Sequence, residues 1–269
     1  LQGLHMRING YGRYLSEAYD SLNTDVDYKK WADFYEYCFR KYSQKPVRRV
    51  CEMACGTGSM ALELGGRRYH VTAFDLSETM LTLADKKASD AGITDIRFTC
   101  QDMRDFKVYA SVQAVICMMD GLNCLTSKDD VVSTLDSVST ALEDGGIFVF
   151  DVNTRYKFEN IYADNAYVLE ADGVFLAWQN FYNSKTRKCD MFLTFFFEDK
   201  DGRYVRCDEK IVQKMYSLKI LEKMLLSAGF DVLDIIGGFD FSKADENKDE
   251  RAYFVCRKNA VKQDLQGRS

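Results

Sequence analysis

The sequence predicts an α/β protein, an open and mostly parallel sheet with helices on both faces, interrupted after its fifth strand by an antiparallel insert. Three observations predict it. From residue 47 onward, short apolar runs alternate with amphipathic segments, the pattern of right-handed strand–helix–strand crossovers. The first run ends in a glycine-bearing turn, Glu52-Met53-Ala54-Cys55-Gly56-Thr57-Gly58. Between residues 167 and 216 the helical period vanishes, and strand-like runs are separated by Asp172-Gly173 and Asp201-Gly202, both hairpin-type turn signals.

Taken in order, residues 26–41 read as a helix, with Trp31, Phe34, Tyr35, Cys38 and Phe39 near 3.6 spacing, and end before Pro46. Strands are expected at 47–53, 69–75, 95–100, 112–119 and 147–152. Between them run helices from Met60, from Ser77-Glu78 to about residue 91 with Gly92 as the stop, and from the cap Ser127 to about residue 142. The acids Asp129 and Asp130 suit the positive end of that last helix. The insert reads as strands 166–170, 174–182, 189–198 and 204–214. Alternation then returns with a helix over 218–228, Gly229, a strand over 230–236 and a last strand over 252–257.

Composition narrows the function. With 46% hydrophobic and 29% charged residues, the 269-residue chain can bury a substantial core. No apolar run is long enough to span a bilayer as a helix, and a net charge of −5 lacks the basic footprint of a general nucleic-acid binder. Nine cysteines, with Cys51, Cys100, Cys117 and Cys256 inside apolar strand-like runs, suit buried reduced thiols of a cytoplasmic protein, with no disulfide and no zinc. Leu1–His5 reads as vector-derived, with Met6 as the native start. His70 is then the single native histidine, which argues against histidine-based catalysis.

The first turn fits two ligand classes. Gly56 and Gly58 let backbone pass close to a ligand, and a helix N-terminus follows. Gly56-x-Gly58-x-x-Ala61 with Asp75 further on satisfies a dinucleotide fingerprint. Glu52 discriminates, because a carboxylate there repels a pyrophosphate and suits a ligand with an ammonium group.

At this point the segment 52–58 resembles the first motif of the class I S-adenosylmethionine (SAM) dependent methyltransferases, with Ala54 in the first glycine position. Further segments resemble that family's motifs in order: V-T-A-F-D-L-S (71–77), C-Q-D-M-R-D-F (100–106), A-V-I-C-M-M-D-G-L-N-C-L (114–125) and L-E-D-G-G-I-F-V-F-D-V-N-T (142–154). The resemblance implies a seven-stranded Rossmann-like methyltransferase sheet, SAM as cofactor and S-adenosylhomocysteine as product. It assigns Glu52 to the methionine ammonium, Ala54, Gly56 and Gly58 to the turn beneath it, Asp75 to the ribose diol, Asp102 and Met103 to the adenine, and Leu76 to its other face. Met118 lies in the motif beside the methyl. Residues 11–31 resemble the aromatic lead-in of small-molecule members, in which Tyr11 and Tyr19 cover the cofactor.

The cofactor already carries an activated methyl, so the protein chiefly supplies alignment and a dry site. Asp120 is the candidate to orient or deprotonate an acceptor, with Tyr19 beside it; the other reading of Asp120-Gly121 is a capped turn. The insert falls over the strand ends that hold the site. Its polar and aromatic positions Trp178, Glu209, Gln213 and Tyr216, with Asn123, are expected to face the acceptor, and Glu209 suits a cationic amine. Along 192–197 both strand faces are apolar, so one needs a cover such as substrate, lid or second subunit. The expected organisation is a cofactor-binding body of 6–153 and 217–258, including a cap at 6–45, and a lid at 154–216. The expected function is methyl transfer to nitrogen or oxygen of a small molecule, with no nucleic acid, membrane or metal involved. A non-catalytic SAM-binding regulator or partner subunit and an NAD-type dehydrogenase are the alternatives.

Overall fold

The computed structural model describes residues 7–9 and 12–260. In chain order the strands are β1 (Arg7–Asn9), β2 (Arg49–Met53), β3 (His70–Asp75), β4 (Ile96–Cys100), β5 (Val112–Cys117), β6 (Leu142–Asn153), β7 (Ala166–Ala171), β8 (Val174–Asn183), β9 (Lys188–Glu198), β10 (Tyr204–Lys214), β11 (Phe230–Ile236) and β12 (Arg251–Lys258). The α-helices are α1 (Arg13–Leu22), α2 (Tyr28–Tyr42), α3 (Ser59–Gly66), α4 (Glu78–Asp90), α5 (Lys128–Ala141) and α6 (Leu218–Ser227).

Seven strands form the main sheet in the order β11-β12-β6-β5-β2-β3-β4. All neighbours are parallel except β12, which runs antiparallel to both β6 and β11. The order reverses between β2 and β5, so the loops after these strands diverge and leave a crevice at their C-terminal ends. The central strands are apolar on both faces because both are covered. Val50, Ala114, Ile116, Ile147 and Val149 pack beneath α2 and α3, and Cys51, Met53, Val115, Phe148 and Phe150 pack beneath α5 and α6. Ser77 and Ser127 cap their helices as expected, accepting from Met80 N and Asp130 N. Asp27 caps α2 by accepting from Lys30 N at 3.0 Å.

The insert is the four-stranded antiparallel run β7–β10, following β6. Two features of this region were not expected. β1 adds to it in parallel beside β10, and α1 packs Leu15 and Ala18 into the core that this sheet shares with Phe158, Leu176, Leu193, Phe195 and Met215. A π-helical segment, Lys157–Tyr162, joins β6 to the insert. On β9 the alternation is clear: Met191, Leu193 and Phe195 are buried, whereas Phe192, Thr194 and Phe196 are half-buried on the outer face. The Asp172-Gly173 turn has positive φ at both residues, as a type I′ hairpin requires.

No disulfide joins any of the nine cysteines among the described residues, and Cys100 corrects an expectation. It is exposed, because β4 is the edge strand of the main sheet. Among the described residues there is no cluster of acids, cysteines and histidines placed to hold a metal. No helix among them is long and apolar enough to cross a membrane.

Candidate functional site

A cleft of about 380 Å³ opens where the sheet order reverses. Of the residues expected around a cofactor, Tyr19, Glu52, Ala54, Gly56, Asp75, Leu76, Asp102, Met103 and Met118 line it. Tyr11 lies outside the described residues.

Its floor is the turn after β2. The chain takes left-handed backbone at Ala54 (φ 52°), Gly56 (φ 54°) and Gly58 (φ 75°). Gly58 sits under the cleft, where a Cβ would come within 2.8 Å of Ala84 Cβ and 3.0 Å of the Phe98 ring. The glycine therefore allows the turn to seat against α4 and β4. Glu52 at the end of β2 is 1% exposed, and its Oε2 has no hydrogen-bond partner. Burial, and then the charge of Asp75, push its carboxyl up to about 8, with the Ala61 N–H acting in the opposite direction.

Asp75 ends β3 with its carboxylate oriented by the protein. Oδ2 accepts from Gly56 N and Oδ1 from Ser77 N, both at 2.9 Å. Each oxygen keeps a further lone pair for a ligand hydroxyl. Burial raises this carboxyl and the backbone donors lower it. Leu76, 68% exposed, lines the cleft together with Met103. Asp102 departs from the expectation of a free acceptor. Arg104 Nε lies 3.0 Å from both of its oxygens and Nη2 2.5 Å from Oδ2. That guanidinium holds the Asp102 carboxyl below its ordinary range and also reaches Asp130 at 3.2 Å. Arg104 and Asp130 line the cleft and were missed from sequence; the i, i+2 spacing of Asp102 and Arg104 was the available signal.

Tyr19 and Tyr28 line the cleft from α1 and α2. Burial pushes the Tyr19 hydroxyl far above its ordinary value. α1 is tied to the glycine turn through Asp20, which accepts from Thr57 Oγ1 at 2.6 Å and from Lys87 Nζ at 2.8 Å.

At the turn after β5 lies a polar cluster. Met119 and Asp120 both adopt left-handed backbone, and at Gly121 a Cβ would stand 2.7 Å from Cys117 Sγ. This tight turn presents Asp120. Its Oδ1 pairs with Arg251 Nη2 at 3.0 Å, and its Oδ2 accepts from Gln213 Nε2 at 2.5 Å. Arg251 also donates through Nη1 to Asp151 Oδ2, which accepts from Asp120 N at 2.9 Å as well. Burial raises the Asp151 carboxyl and Arg251 opposes it. Gln213 Oε1 accepts from Asn153 Nδ2 at 3.2 Å. Asn123 accepts from Asn153 N and donates to Lys214 O, each at 2.9 Å. Asn123 and Gln213 thus belong to a buried network beside Asp120, and Arg251 at its centre was missed from sequence.

Three insert residues lie elsewhere than expected. Glu209 Oε1 accepts from Tyr14 N (2.9 Å) and Leu15 N (3.2 Å), and Oε2 accepts from Gly12 N (3.1 Å). It caps the N-terminus of α1 and is not a free carboxylate above an acceptor. The Tyr216 hydroxyl is 2.6 Å from Leu125 O and 2.9 Å from Ser127 O, pinning the start of α6 to the loop before α5. Trp178 donates through Nε1 to Asn180 Oδ1 at 2.6 Å and packs against Tyr162 and Tyr167.

A seven-stranded sheet of this order, with an acid ending its first inner strand, a left-handed turn and a second acid at the next strand end, defines a class I SAM-dependent methyltransferase. Comparisons agree. Residues 50–146 match the family described as Methyltransferase domain. A methyltransferase of Geobacillus sp. (strain WCH70) is 31% identical over 240 residues, covering 89% of this chain and 96% of that one. The crystal structure of a S-adenosylmethionine-dependent methyltransferase from Clostridium acetobutylicum ATCC 824 superposes with a TM-score of 0.81 at 29% identity, covering 92% of this chain and 98% of that one. A dTDP-3-amino-3,4,6-trideoxy-alpha-D-glucopyranose N,N-dimethyltransferase of Streptomyces venezuelae is 32% identical over 128 residues, 46% of this chain and 50% of its own. The chain belongs to the class I SAM-dependent methyltransferases.

The residues present fit SAM. The unpartnered Glu52 Oε2 requires a donor, which an α-ammonium supplies. The oriented Asp75 oxygens suit a diol, and Leu76 and Met103 offer apolar surfaces for a flat base.

Proposed function

We propose that this enzyme methylates the nitrogen of a small-molecule amine, with Asp120 as the residue that receives the acceptor. The observation that carries the reading is the clamp on Asp120. Arg251 and Gln213 fix both of its oxygens at the mouth of the turn after β5, and its side chain is 13% exposed. A carboxylate held this way aligns an N–H donor and takes up its proton as the nitrogen lone pair is used. The Streptomyces venezuelae relative, whose name specifies an amino-sugar nitrogen, supports the same chemistry.

Bound SAM supplies an electrophilic methyl on a sulfonium. The chain supplies the rest. Glu52 holds the ammonium, Asp75 the ribose, and Asp102, Leu76 and Met103 the adenine. Tyr19, on α1, screens the reacting centre from water and lies close enough to Asp120 to feel its charge. Residues 154–216 act as a lid that shapes the acceptor side through Gln213, over a cofactor-binding body of 6–153 and 217–258.

The test is transfer of labelled methyl from SAM to a panel of amines, alcohols and carboxylic acids. Label on amines, lost in Asp120→Asn with SAM affinity retained, supports the proposal. Transfer confined to oxygen acceptors overturns it. SAM binding with no transfer to a metabolite extract points to a binding-only role.

A further inference from the structure

Four basic residues gather where the end of the insert sheet meets the loop after β5. Lys188 and Lys214 stand directly opposite each other across β9 and β10, a placement in which like charges repel. Arg187 precedes Lys188 in left-handed backbone (φ 58°), and its carbonyl accepts from Met215 N at 2.8 Å. This bond brings the end of the β8–β9 hairpin against the end of β10. Lys128 opens α5. The Lys214 ammonium is pushed down by burial and then by Lys188, Lys128 and Arg187.

The acids in the neighbourhood are otherwise engaged or exposed. Asp130 pairs with Arg104 and Asp190 with Lys210, Asp164 accepts from Tyr182 N at 3.2 Å, and Asp129, Glu159 and Asp164 are exposed. None of the four cations joins an ion pair among the described residues. Their position is at the rim of the site. Lys214 Nζ lies 3.1 Å from the carbonyl oxygen of Thr126, which lines the cofactor cleft. Lys214 O accepts from Asn123, a member of the network beside Asp120.

A chain of net charge −5 thus keeps Lys128, Arg187 and Lys188 near Lys214, which itself reaches a residue of the cleft. A single carboxylate leaves most of that charge unbalanced, whereas a phosphate or diphosphate group balances it and gives each ammonium and the guanidinium an oxygen to contact. We propose that Lys128, Arg187, Lys188 and Lys214 dock a phosphate or diphosphate group on the acceptor. The proposal rests on the reading that the acceptor is a small molecule, and it places that molecule's anionic end away from the methylated atom.

Calorimetry of the protein saturated with S-adenosylhomocysteine, at fixed ionic strength, tests it with inorganic pyrophosphate as probe. The expected result is saturable binding at one site that weakens at least tenfold in Lys188→Gln and in Lys128→Gln. Titration of S-adenosylhomocysteine into each variant reports that the fold is intact. Parallel titrations with inorganic phosphate and with a nucleoside diphosphate distinguish a phosphoester acceptor from a nucleotide-linked one. Absence of saturable binding of all three probes, or equal binding by wild type and both variants, overturns the proposal. No methyl transfer is read, so failure of the amine assignment leaves this outcome legible.

Discussion

Arg251 and Asp120 lie 131 residues apart in sequence, and Nη2 of the one stands 3.0 Å from Oδ1 of the other. The same guanidinium donates to Asp151 from its other terminal nitrogen. The last strand of the sheet thereby fixes the turn at which the acceptor is to be met. The antiparallel direction of β12 makes this possible, because it brings the start of that strand level with the end of β6.

Arg251→Met tests the clamp. It leaves two carboxylates, one fully buried, without their shared cation. Loss of one partner of a buried pair costs about 3–5 kcal/mol, so urea unfolding at pH 7 should show a loss of that size. The deficit should shrink toward pH 5 as the stranded, buried Asp151 carboxyl takes up a proton. A variant as stable as wild type at pH 7 would show that the cluster is effectively solvated.

Glu52 predicts a pH dependence of cofactor binding. Its carboxyl is raised from an ordinary 4.5 to about 8 in the free protein. Because the raised value belongs to the folded state, the stability it contributes is complete below about 4.5 and is lost as pH rises toward 8. Binding has the opposite sign, since an ammonium needs the ionised carboxylate. Affinity for S-adenosylhomocysteine should therefore rise about tenfold per pH unit between pH 6 and 7 and level off above 8. Calorimetry in buffers of different ionisation enthalpy should show close to one proton released at pH 6.5. Glu52→Gln should abolish both the slope and the release; a persisting slope would assign it to another group.

The sheet and the cofactor turns were legible because local signals carry them. Apolar runs alternate with 3.6-period segments, and Gly56, Gly58, Asp75 and Asp102 sit at fixed places in short motifs. The insert strands were legible from their period of two. The roles of single insert side chains were not. The alternation along β10 marks Glu209 as facing inward with Gln213, yet nothing local says that it meets backbone N–H groups almost 200 positions earlier. Arg251 was hidden for the same reason, since a charged residue at a strand start reads as solvent-exposed. α1 was obscured by its aromatic residues, which read as cofactor cover before they read as a helix face.

Ala54 carries a smaller, cleaner prediction. It holds φ 52° at a position where the family places glycine. Left-handed backbone costs a residue with a Cβ about 1–2 kcal/mol, and glycine returns part of this as unfolded-state entropy. Ala54→Gly should raise stability by about 0.5–1 kcal/mol, read as a higher Tm, with cofactor affinity unchanged. A lower Tm would mean that contact of the Ala54 Cβ with the turn at Gly121 outweighs the strain.

Glu209 separates a structural role from an acceptor role. Both of its oxygens satisfy N–H groups at the start of α1, and α1 carries Tyr19 over the cleft and Asp20 onto the glycine turn. Loss of the cap strands buried donors at a cost of about 1–3 kcal/mol. A locally loosened α1 then weakens what it covers. Glu209→Ala should therefore lower Tm and raise the Kd for S-adenosylhomocysteine before any acceptor is present. Glu209→Gln keeps one acceptor oxygen and should fall between the two. A residue that contacts only the acceptor would do the reverse, sparing cofactor affinity and raising the KM for the acceptor. Hydrogen exchange decides whether the effect travels through the helix: the amides of Tyr14 and Leu15 should lose protection in Glu209→Ala, while those of β2 and β5 keep theirs.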